Sequence, residues 1–169
     1  MINIKEDKKL SVMNHSCAHV MAQAVKHLYP HAKFWVGPVV KEGFYYDIDL
    51  NGKTLNESDL PIIEKEMKKI AKDGKRIVRH EISKKEALEM FKNDPYKIDL
   101  ISRMDENEQV ISCYTQGDFT DLCRGPHLDT VKELKYFKLS NNNAYINVYN
   151  NYISISYLDE FKKINNLYF

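Results

Sequence analysis

The sequence predicts an α+β fold in which a long helix packs on an antiparallel sheet and a helical lobe is inserted in the middle of the chain. Three patterns support this. A long amphipathic helical pattern comes first, short strand-like runs joined by turns follow it, and helical periodicity dominates residues 56–104 before strand signals return. With 169 residues the chain can bury a single core, so we expect one domain over residues 1–169 with its core at about 10–150.

The first part of the chain is predicted to form a helix and a strand pair. Apolar residues recur at helical spacing over residues 10–28, and Pro30 lies just past the end. Two strand-like runs follow over residues 33–40 and 43–50, and Asn51-Gly52 then marks a tight turn.

The middle of the chain alternates helix and turn signals. Ser58-Asp59 is a predicted N-cap for a helix over residues 60–72, which Asp73-Gly74 ends. A strand is predicted over residues 76–82. Ser83-Lys84-Lys85-Glu86 then has the capping-box pattern for a short helix that ends at about residue 92.

The remaining elements are predicted from weaker patterns. After a turn at residues 93–95, residues 96–104 are predicted as a further short helix. Strand signals return over residues 109–114, 135–139 and 144–149, and residues 157–167 are predicted to form a closing helix.

Charge and composition limit the classes of function. The formal net charge is +1, with both signs spread along the chain. This excludes nucleic-acid binding through a basic charge over the whole surface, but it is compatible with binding of one RNA end at a local patch. No apolar run approaches the roughly 20 residues that span a bilayer, and the first residues lack the apolar stretch of a secretory signal. Three cysteines form no even disulfide framework, so we expect a reducing, cytoplasmic setting and no membrane partner.

Two residue pairs are the strongest candidates for chemistry. His15-x-x-x-His19 lies in the first helix, where a four-residue step puts both side chains on one face, and Cys123-x-x-x-His127 follows more than a hundred residues later. Gly125-Pro126 forces an irregular turn, which predicts that Cys123 and His127 are held on a loop. Three imidazoles and a thiol suit either a metal site or a metal-free general-base and binding cluster. The neighbouring Arg124 is expected to favour the thiolate of Cys123 and hence metal capture.

The other cysteines and histidines are interpreted as structural or surface groups. Cys17 points to another face of the first helix and Cys113 lies in a strand run, so both are predicted to be core residues. His27, His31 and His80 have no partner at useful spacing and are interpreted as surface groups.

A few further residues are ambiguous from spacing alone. Tyr45 and Tyr46 should point to opposite faces of a strand, so one is predicted in the core and the other is a candidate to line a cleft. Lys97 would ordinarily be a solvated helix-surface lysine, and Asp121 a turn residue.

The motifs together resemble a known family. The segments are His15-Ser16-Cys17-Ala18-His19, Gly37-Pro38-Val39, Gly43-Phe44-Tyr45-Tyr46-Asp47 and Asp121-Leu122-Cys123-Arg124-Gly125-Pro126-His127. They are similar, in the same order over about residues 10–150, to the editing domain of bacterial-type threonyl-tRNA synthetase, also called the second additional domain. Alanyl-tRNA editing proteins share this module more distantly.

The resemblance implies post-transfer editing, which is hydrolysis of the ester that joins serine to a mischarged threonine tRNA. It implies a hydrolytic pocket of His15, His19, Cys123 and His127, with Tyr46, Lys97 and Asp121 at positions that help to hold the seryl group and water. The implied partners are the acceptor end of the tRNA carrying serine and the rest of a synthetase. That parent enzyme would ligate threonine to tRNA using ATP, and we expect its aminoacylation core and anticodon-binding domain to be absent from this chain.

Two alternatives stay open beside editing. One is a zinc-dependent deacylase of the alanyl-tRNA type, with His15, His19, Cys123 and His127 as the ligands. The other is a non-catalytic module that binds the tRNA acceptor end. The resemblance implies no cofactor in this domain, so zinc is possible but not expected, and ATP would belong only to the absent catalytic domain.

Overall fold

A computed structural model describes residues 3–105 and 110–139. The helices within these residues are α1 (Lys8–Leu28), α2 (Leu60–Asp73), α3 (Lys84–Met90) and α4 (Pro95–Ser102). The strands are β1 (Lys33–Phe34), β2 (Val39–Val40), β3 (Gly43–Phe44), β4 (Ile48–Asp49), β5 (Ile77–Ser83), β6 (Val110–Gln116) and β7 (Phe119–Leu122). Helices beside small antiparallel sheets confirm the predicted α+β class. The strand predicted over 144–149 and the helix predicted over 157–167 lie outside the described residues.

Helix α1 is the central element of the core. It begins two residues before the predicted start, because the Asp7 side chain accepts a hydrogen bond from Leu10 N at 2.9 Å and caps the first turn. Val20, Met21 and Ala24 are fully buried on α1, in the large apolar cluster that also contains the buried side chains of α2. Burial on this scale, more than local propensity, fixes the helix in place.

The two strand-like runs after α1 pair as predicted, although each is interrupted. Strand β1 pairs antiparallel with β4, and β2 pairs with β3. Pro38 has no N–H to donate, so a continuous ladder cannot pass through it. A Cβ at Gly37 would collide with the ring of Tyr46, so the chain comes closest to that ring where it has no side chain.

A second sheet lies further along the chain and delivers part of the site. Strand β5 pairs with β6, and β6 pairs with β7, both antiparallel. The sequence predicted β5 and β6 but not β7. Four residues directly after a turn give too short a pattern to be recognised. Strand β7 carries Asp121 and ends immediately before Cys123.

Helix α2 is confirmed with the predicted start at Leu60, and it ends one residue later than predicted, at Asp73. Asp59, one of the two predicted cap residues, occupies the N-cap position of α2. A short 3-10 turn, Glu57–Asp59, precedes the helix, and Asn56 N at the start of that turn donates to Asp59 Oδ2 at 2.7 Å. Gly74 ends the helix in the left-handed region at φ 68°.

Helices α3 and α4 surround a second, smaller apolar cluster. The predicted capping box is present: Ser83 N donates to Glu86 Oε2 at 2.8 Å, and Glu86 N donates to Ser83 Oγ at 3.2 Å. The α4 helix begins at Pro95, one residue before the predicted start. The cluster between these elements is built from Ala87, Ile101 and Ile111.

The strand predicted over residues 135–139 is wrong, since no strand is assigned there. Phe137 and Leu139 are buried, and Leu139 N donates to Glu64 Oε1 of α2 at 2.5 Å. The alternating pattern therefore reflects packing against a helix. Across residues 3–105 and 110–139, none of the helices combines the length and apolar character that a membrane span requires.

Candidate functional site

Helix α1 presents two histidines one turn apart, as the spacing predicted. His15 is partly exposed, whereas His19 is buried with 2% of its surface accessible. Their ring centroids are 5.4 Å apart, in an edge-to-face arrangement. The pair therefore has a solvent-facing member and an interior member.

The loop after β7 brings the second pair against α1. Cys123 N donates to Ser112 O at 3.2 Å, which extends the pairing with β6 by one residue. Gly125 then turns the chain with φ 74°, and a Cβ there would collide with the Tyr114 side chain. His127 follows on this loop, with its ring centroid 4.6 Å from that of Tyr114. The Gly-Pro turn predicted from the sequence thus places both side chains over α1.

All four predicted residues of the two motifs meet in one cluster, which we call the His-Cys cluster: His15, His19, Cys123 and His127. Cys123 Sγ lies 3.2 Å from His15 Nε2 and 3.2 Å from His127 Nε2. One ligand-type atom from each residue lies within 4.8 Å of all the others. Residues more than a hundred positions apart therefore contribute to a single site.

Ser16 supports this cluster, although its spacing in the sequence did not indicate a site residue. Its hydroxyl lies 3.1 Å from His127 Nδ1 and accepts a hydrogen bond from Leu128 N at 2.9 Å. Ser16 is fully buried. Its position directly after His15 was the only available signal, because the contact depends on a loop 111 residues away.

Burial favours the uncharged forms of the cluster. It lowers the pKa of His15, against the opposing effects of the Pro126 carbonyl and the Asp121 charge. Burial also lowers the pKa of His19 and of His127 well below the usual value, and each of these rings is further disfavoured as a cation by its histidine neighbours. The three imidazoles are therefore neutral at physiological pH and can accept protons.

The cysteine is held as a thiol, contrary to the expectation for Arg124. Burial raises the pKa of Cys123 to about 11, although the Gly125 N–H and the Lys97 charge act in the opposite direction. Arg124 is exposed, whereas Cys123 is partly buried. The prediction that Cys123 favours the thiolate is wrong, because burial of the sulfur raises its pKa.

Tyr46, Lys97 and Asp121 form a buried polar group beside the cluster. Lys97 Nζ lies 2.6 Å from Asp121 Oδ1 and donates to Trp35 O at 2.9 Å. Tyr46 donates its hydroxyl to the other oxygen of Asp121. Each of the three is at most 3% exposed, so Lys97 is not a solvated helix lysine and Asp121 is not a turn residue.

The charges of this polar group shift the pKa values of residues in the His-Cys cluster. The Asp121 charge raises the pKa of Cys123, and the Lys97 charge lowers that of His19, in both cases as smaller contributions than burial. Burial, followed by the Asp121 charge and hydrogen bond, raises the pKa of Tyr46 well above its usual value. Tyr46 is therefore a hydrogen-bond donor at neutral pH, and it is a core residue that lies near Cys123. Tyr45 is only partly buried.

The cluster has the donor set of a zinc site. Tetrahedral zinc with imidazole and thiolate ligands separates its donor atoms by about 3.3–3.8 Å. Two separations in the cluster, 3.2 Å each, already lie close to the short end of this range, and the widest, at most 4.8 Å, would have to shorten by about 1 Å. His19 Nδ1 is buried without a hydrogen-bond partner among the described residues, so the position of this ring is not set by a bond from that nitrogen. The residues present therefore fit a metal chemically.

The remaining cysteines and histidines follow the predictions with one addition. Cys17 and Cys113 are buried core residues. His31 and His80 are exposed. His27 is also exposed, but it has acidic partners that spacing did not reveal, since its ring nitrogens lie 2.9 Å from Glu66 and 2.9 Å from Asp118.

Comparison with known proteins agrees with the resemblance found in the motifs. A family model described as the threonyl and alanyl tRNA synthetase second additional domain matches residues 111–148. The chain is 52% identical over 133 residues to a threonine–tRNA ligase of Helicobacter hepaticus, an alignment that covers 79% of this chain and 22% of that protein. It is 53% identical over 137 residues to a threonine–tRNA ligase of Clostridioides difficile, covering 79% of this chain and 21% of the relative.

The chain spans about a fifth of the length of the curated relatives that it matches. The family-model match includes Asp121 and the Cys123-to-His127 loop, which hold half of the His-Cys cluster and one member of the buried polar group. The chain is therefore a relative of the threonyl-tRNA synthetases and corresponds to the part that contains their second additional domain.

Proposed function

We propose that this chain performs post-transfer editing, by hydrolysing the ester that joins serine to the terminal ribose of a mischarged threonine tRNA. The observation that carries the proposal is the convergence of His15, His19, Cys123 and His127 within 4.8 Å. The relation to the threonyl-tRNA synthetases supplies the substrate class.

The chemistry of ester hydrolysis fits the groups present. The reaction needs an oriented water, an acceptor for its proton and donors for the developing oxyanion. A neutral imidazole can accept the proton, and His15 and His127 are partly exposed whereas His19 is buried. Lys97 and Asp121 supply fixed charges of opposite sign beside the cluster, which would hold the seryl group and the water. The vicinal ribose hydroxyl can also take part, a group that DNA lacks.

The specificity problem explains why such a site is useful. Serine is smaller than threonine by one methyl group, and a synthetic site discriminates by only about 1–3 kcal/mol for a group of that size. A second, hydrolytic site removes the error after transfer. In this proposal the parent enzyme ligates threonine to tRNA in the cytoplasm using ATP, and this chain contacts the acceptor end and the remainder of that synthetase.

A second candidate is a zinc-dependent deacylase of the alanyl-tRNA type. The His-Cys cluster favours it, since three imidazoles and one thiol are a complete tetrahedral ligand set. Bound zinc would activate a water for attack on the ester if the water joined the four protein groups as a fifth ligand. In that case the same residues would be ligands, and none of them would be free as a general base.

One experiment separates the two candidates. The purified chain is dialysed against a chelator and then incubated with threonine tRNA that has been charged with serine. A second, identical sample also receives one equivalent of zinc. If protein groups alone carry out editing, serine should be released from the chelated sample as fast as from the sample with zinc. Release that requires zinc would favour the second candidate, and no release under either condition would contradict both.

A further inference from the structure

The hydrogen-bond directions within the His-Cys cluster can be assigned from the chemistry of the groups at its two ends. The chain of contacts runs from Leu128 N through Ser16, His127, Cys123 and His15 to Pro126 O. The backbone N–H at one end can only donate, and the proline carbonyl at the other end can only accept.

The hydrogen bond to the Pro126 carbonyl determines the tautomer of His15. Its Nδ1 lies 3.2 Å from Pro126 O, so Nδ1 must carry the proton for this hydrogen bond to exist. A neutral imidazole has one N–H, which leaves His15 Nε2 as an acceptor. That nitrogen lies 3.2 Å from Cys123 Sγ, so the thiol donates to His15.

Because the Cys123 thiol has only one proton, its donation to His15 determines the tautomer of His127. Cys123 uses it on His15, and its sulfur also accepts from Gly125 N at 3.2 Å. His127 Nε2, at 3.2 Å on another side of the sulfur, makes a hydrogen bond only as a donor. His127 Nδ1 is consequently an acceptor.

Ser16 completes the chain at the opposite end. Its oxygen accepts from Leu128 N at 2.9 Å, and its own proton is available for His127 Nδ1 at 3.1 Å. The reverse direction would leave the lone pairs of His15 Nε2 and Cys123 Sγ facing each other. It would also give the Ser16 proton no acceptor among the partners found for this hydroxyl in the described residues.

We propose that Ser16 is a positioning residue that holds His127 in the tautomer protonated at Nε2, so that His15 is held in the opposite tautomer with Nε2 as the proton acceptor of the site. This deepens the proposed function and rests on it for its catalytic consequence. His15, which is partly exposed, has an Nε2 lone pair that accepts only from a weak thiol donor, whereas His127 presents an N–H at its Nε2. The site thus has one imidazole ready to accept a proton from water and one ready to donate a hydrogen bond.

The tautomers are tested directly by nitrogen NMR of the full chain labelled with ¹⁵N-histidine, in buffer with a chelator. We expect His127 to show a pyrrole-type Nε2 and a pyridine-type Nδ1, and His15 to show the opposite pattern. The same tautomer in both rings would overturn the proposal. This measurement uses unmodified protein and does not depend on any activity.

Activity tests the role of Ser16. Ser16→Ala should lower the rate of seryl-tRNA hydrolysis by about 10–100-fold, the size that partners orienting a histidine contribute in other sites. It should also abolish the single-tautomer signal of His127. Ser16→Thr keeps the hydroxyl and should recover most of the rate.

A matched control removes a hydroxyl elsewhere. Thr115→Val breaks a pair with Thr120 Oγ1 at 2.8 Å in the β6–β7 sheet and should leave rate and tautomers unchanged. Wild-type rates in Ser16→Ala would overturn the proposal while leaving editing intact. An inactive wild-type chain with the expected NMR pattern would instead contradict the proposed function alone. If Ser16→Ala does not fold, the NMR pattern of the wild-type chain decides.

Discussion

At the scale of single residues, each tested member of the His-Cys cluster should be needed for hydrolysis. His15→Ala, His19→Ala and Cys123→Ala should each lower seryl-tRNA hydrolysis by about 10²-fold or more, as expected for lost acid–base groups. First-order rates of serine release measure this effect. An unchanged rate in His15→Ala would remove that residue from the mechanism.

The stability of these variants is the control for the activity loss. His15 and Cys123 are partly exposed, so their truncation should change the free energy of unfolding by less than about 1 kcal/mol. His19 is 2% exposed and contacts the Phe119 ring, and its truncation should cost roughly 1–3 kcal/mol. Urea unfolding of the variants side by side gives these differences, and equal losses for all three would contradict the assigned burial.

The buried Lys97–Asp121 pair gives a second residue-scale prediction. Asp121→Ala leaves the Lys97 ammonium without its carboxylate in a site where both are at most 3% exposed, and should cost about 3–5 kcal/mol. The double variant Lys97→Met/Asp121→Leu, which removes both charges, should be more stable than Asp121→Ala. A single variant as stable as the wild type in urea would show that the charge is not buried as described.

Spacing predicted the cluster but could not predict the residues that support it. The i, i+4 steps of His15–His19 and Cys123–His127 are visible in the sequence because each is a local pattern. Lys97 and Asp121 were indicated only by family resemblance, since nothing local distinguishes a buried lysine from a solvated one. The contact of Ser16 with His127 depends on how a distant loop lies over α1.

At the scale of elements, His27 joins α1 to α2 and to the turn between β6 and β7 through Glu66 and Asp118. Burial alone would lower the pKa of His27, but hydrogen bonds to Asp118 and Glu66 outweigh it and the pKa is raised above 6.5. The stabilisation is therefore fully present below about pH 6.5 and is lost as the pH rises through the raised folded-state pKa.

His27→Gln should remove this pH dependence. The difference in unfolding free energy between wild type and variant should be largest in mildly acid solution, below the raised pKa of His27 and above the lowered pKa values of Glu66 and Asp118. It should be under about 1 kcal/mol for a partly solvated pair and should shrink as the pH rises above neutrality. His80→Gln, which changes an exposed histidine on β5, is the matched control variant for this comparison. A difference that grows with pH would have the wrong sign for this account.

The elements that the sequence predicted correctly are those encoded by neighbouring residues. The Ser83–Glu86 capping box and the Gly74 helix end are local chemistry, and both are present. Strand β7 was missed because its pairing with β6, not its composition, makes it a strand. The strand predicted over residues 135–139 failed for the converse reason, since its apolar residues are buried without forming a ladder.

At the scale of the whole molecule, metal-free editing and zinc-dependent deacylation would use the same four residues of the His-Cys cluster. The presence or absence of bound zinc distinguishes them. We predict that melting temperature and activity survive chelation, and that elemental analysis finds zinc well below one equivalent. A zinc ligand must be a thiolate, so zinc binding would release the proton that burial holds on Cys123. Stoichiometric zinc, with stability and activity lost to chelator and restored by zinc, would contradict the prediction.

The +1 net charge also bears on how the chain meets its substrate. A nearly neutral domain holds RNA weakly without further contacts, and the chain matches only about a fifth of the length of its relatives. We therefore expect slow turnover at low enzyme concentration, so specificity is better judged from a ratio of rates than from the absolute rate.

The central claim is tested most directly by that ratio. The purified chain, at one high concentration, is given the same threonine tRNA charged with serine in one sample and with threonine in another, and release of each amino acid is followed. Editing predicts rapid release of serine while threonyl-tRNA decays no faster than it does without protein. Equal release of both amino acids, or release of neither, would contradict the account.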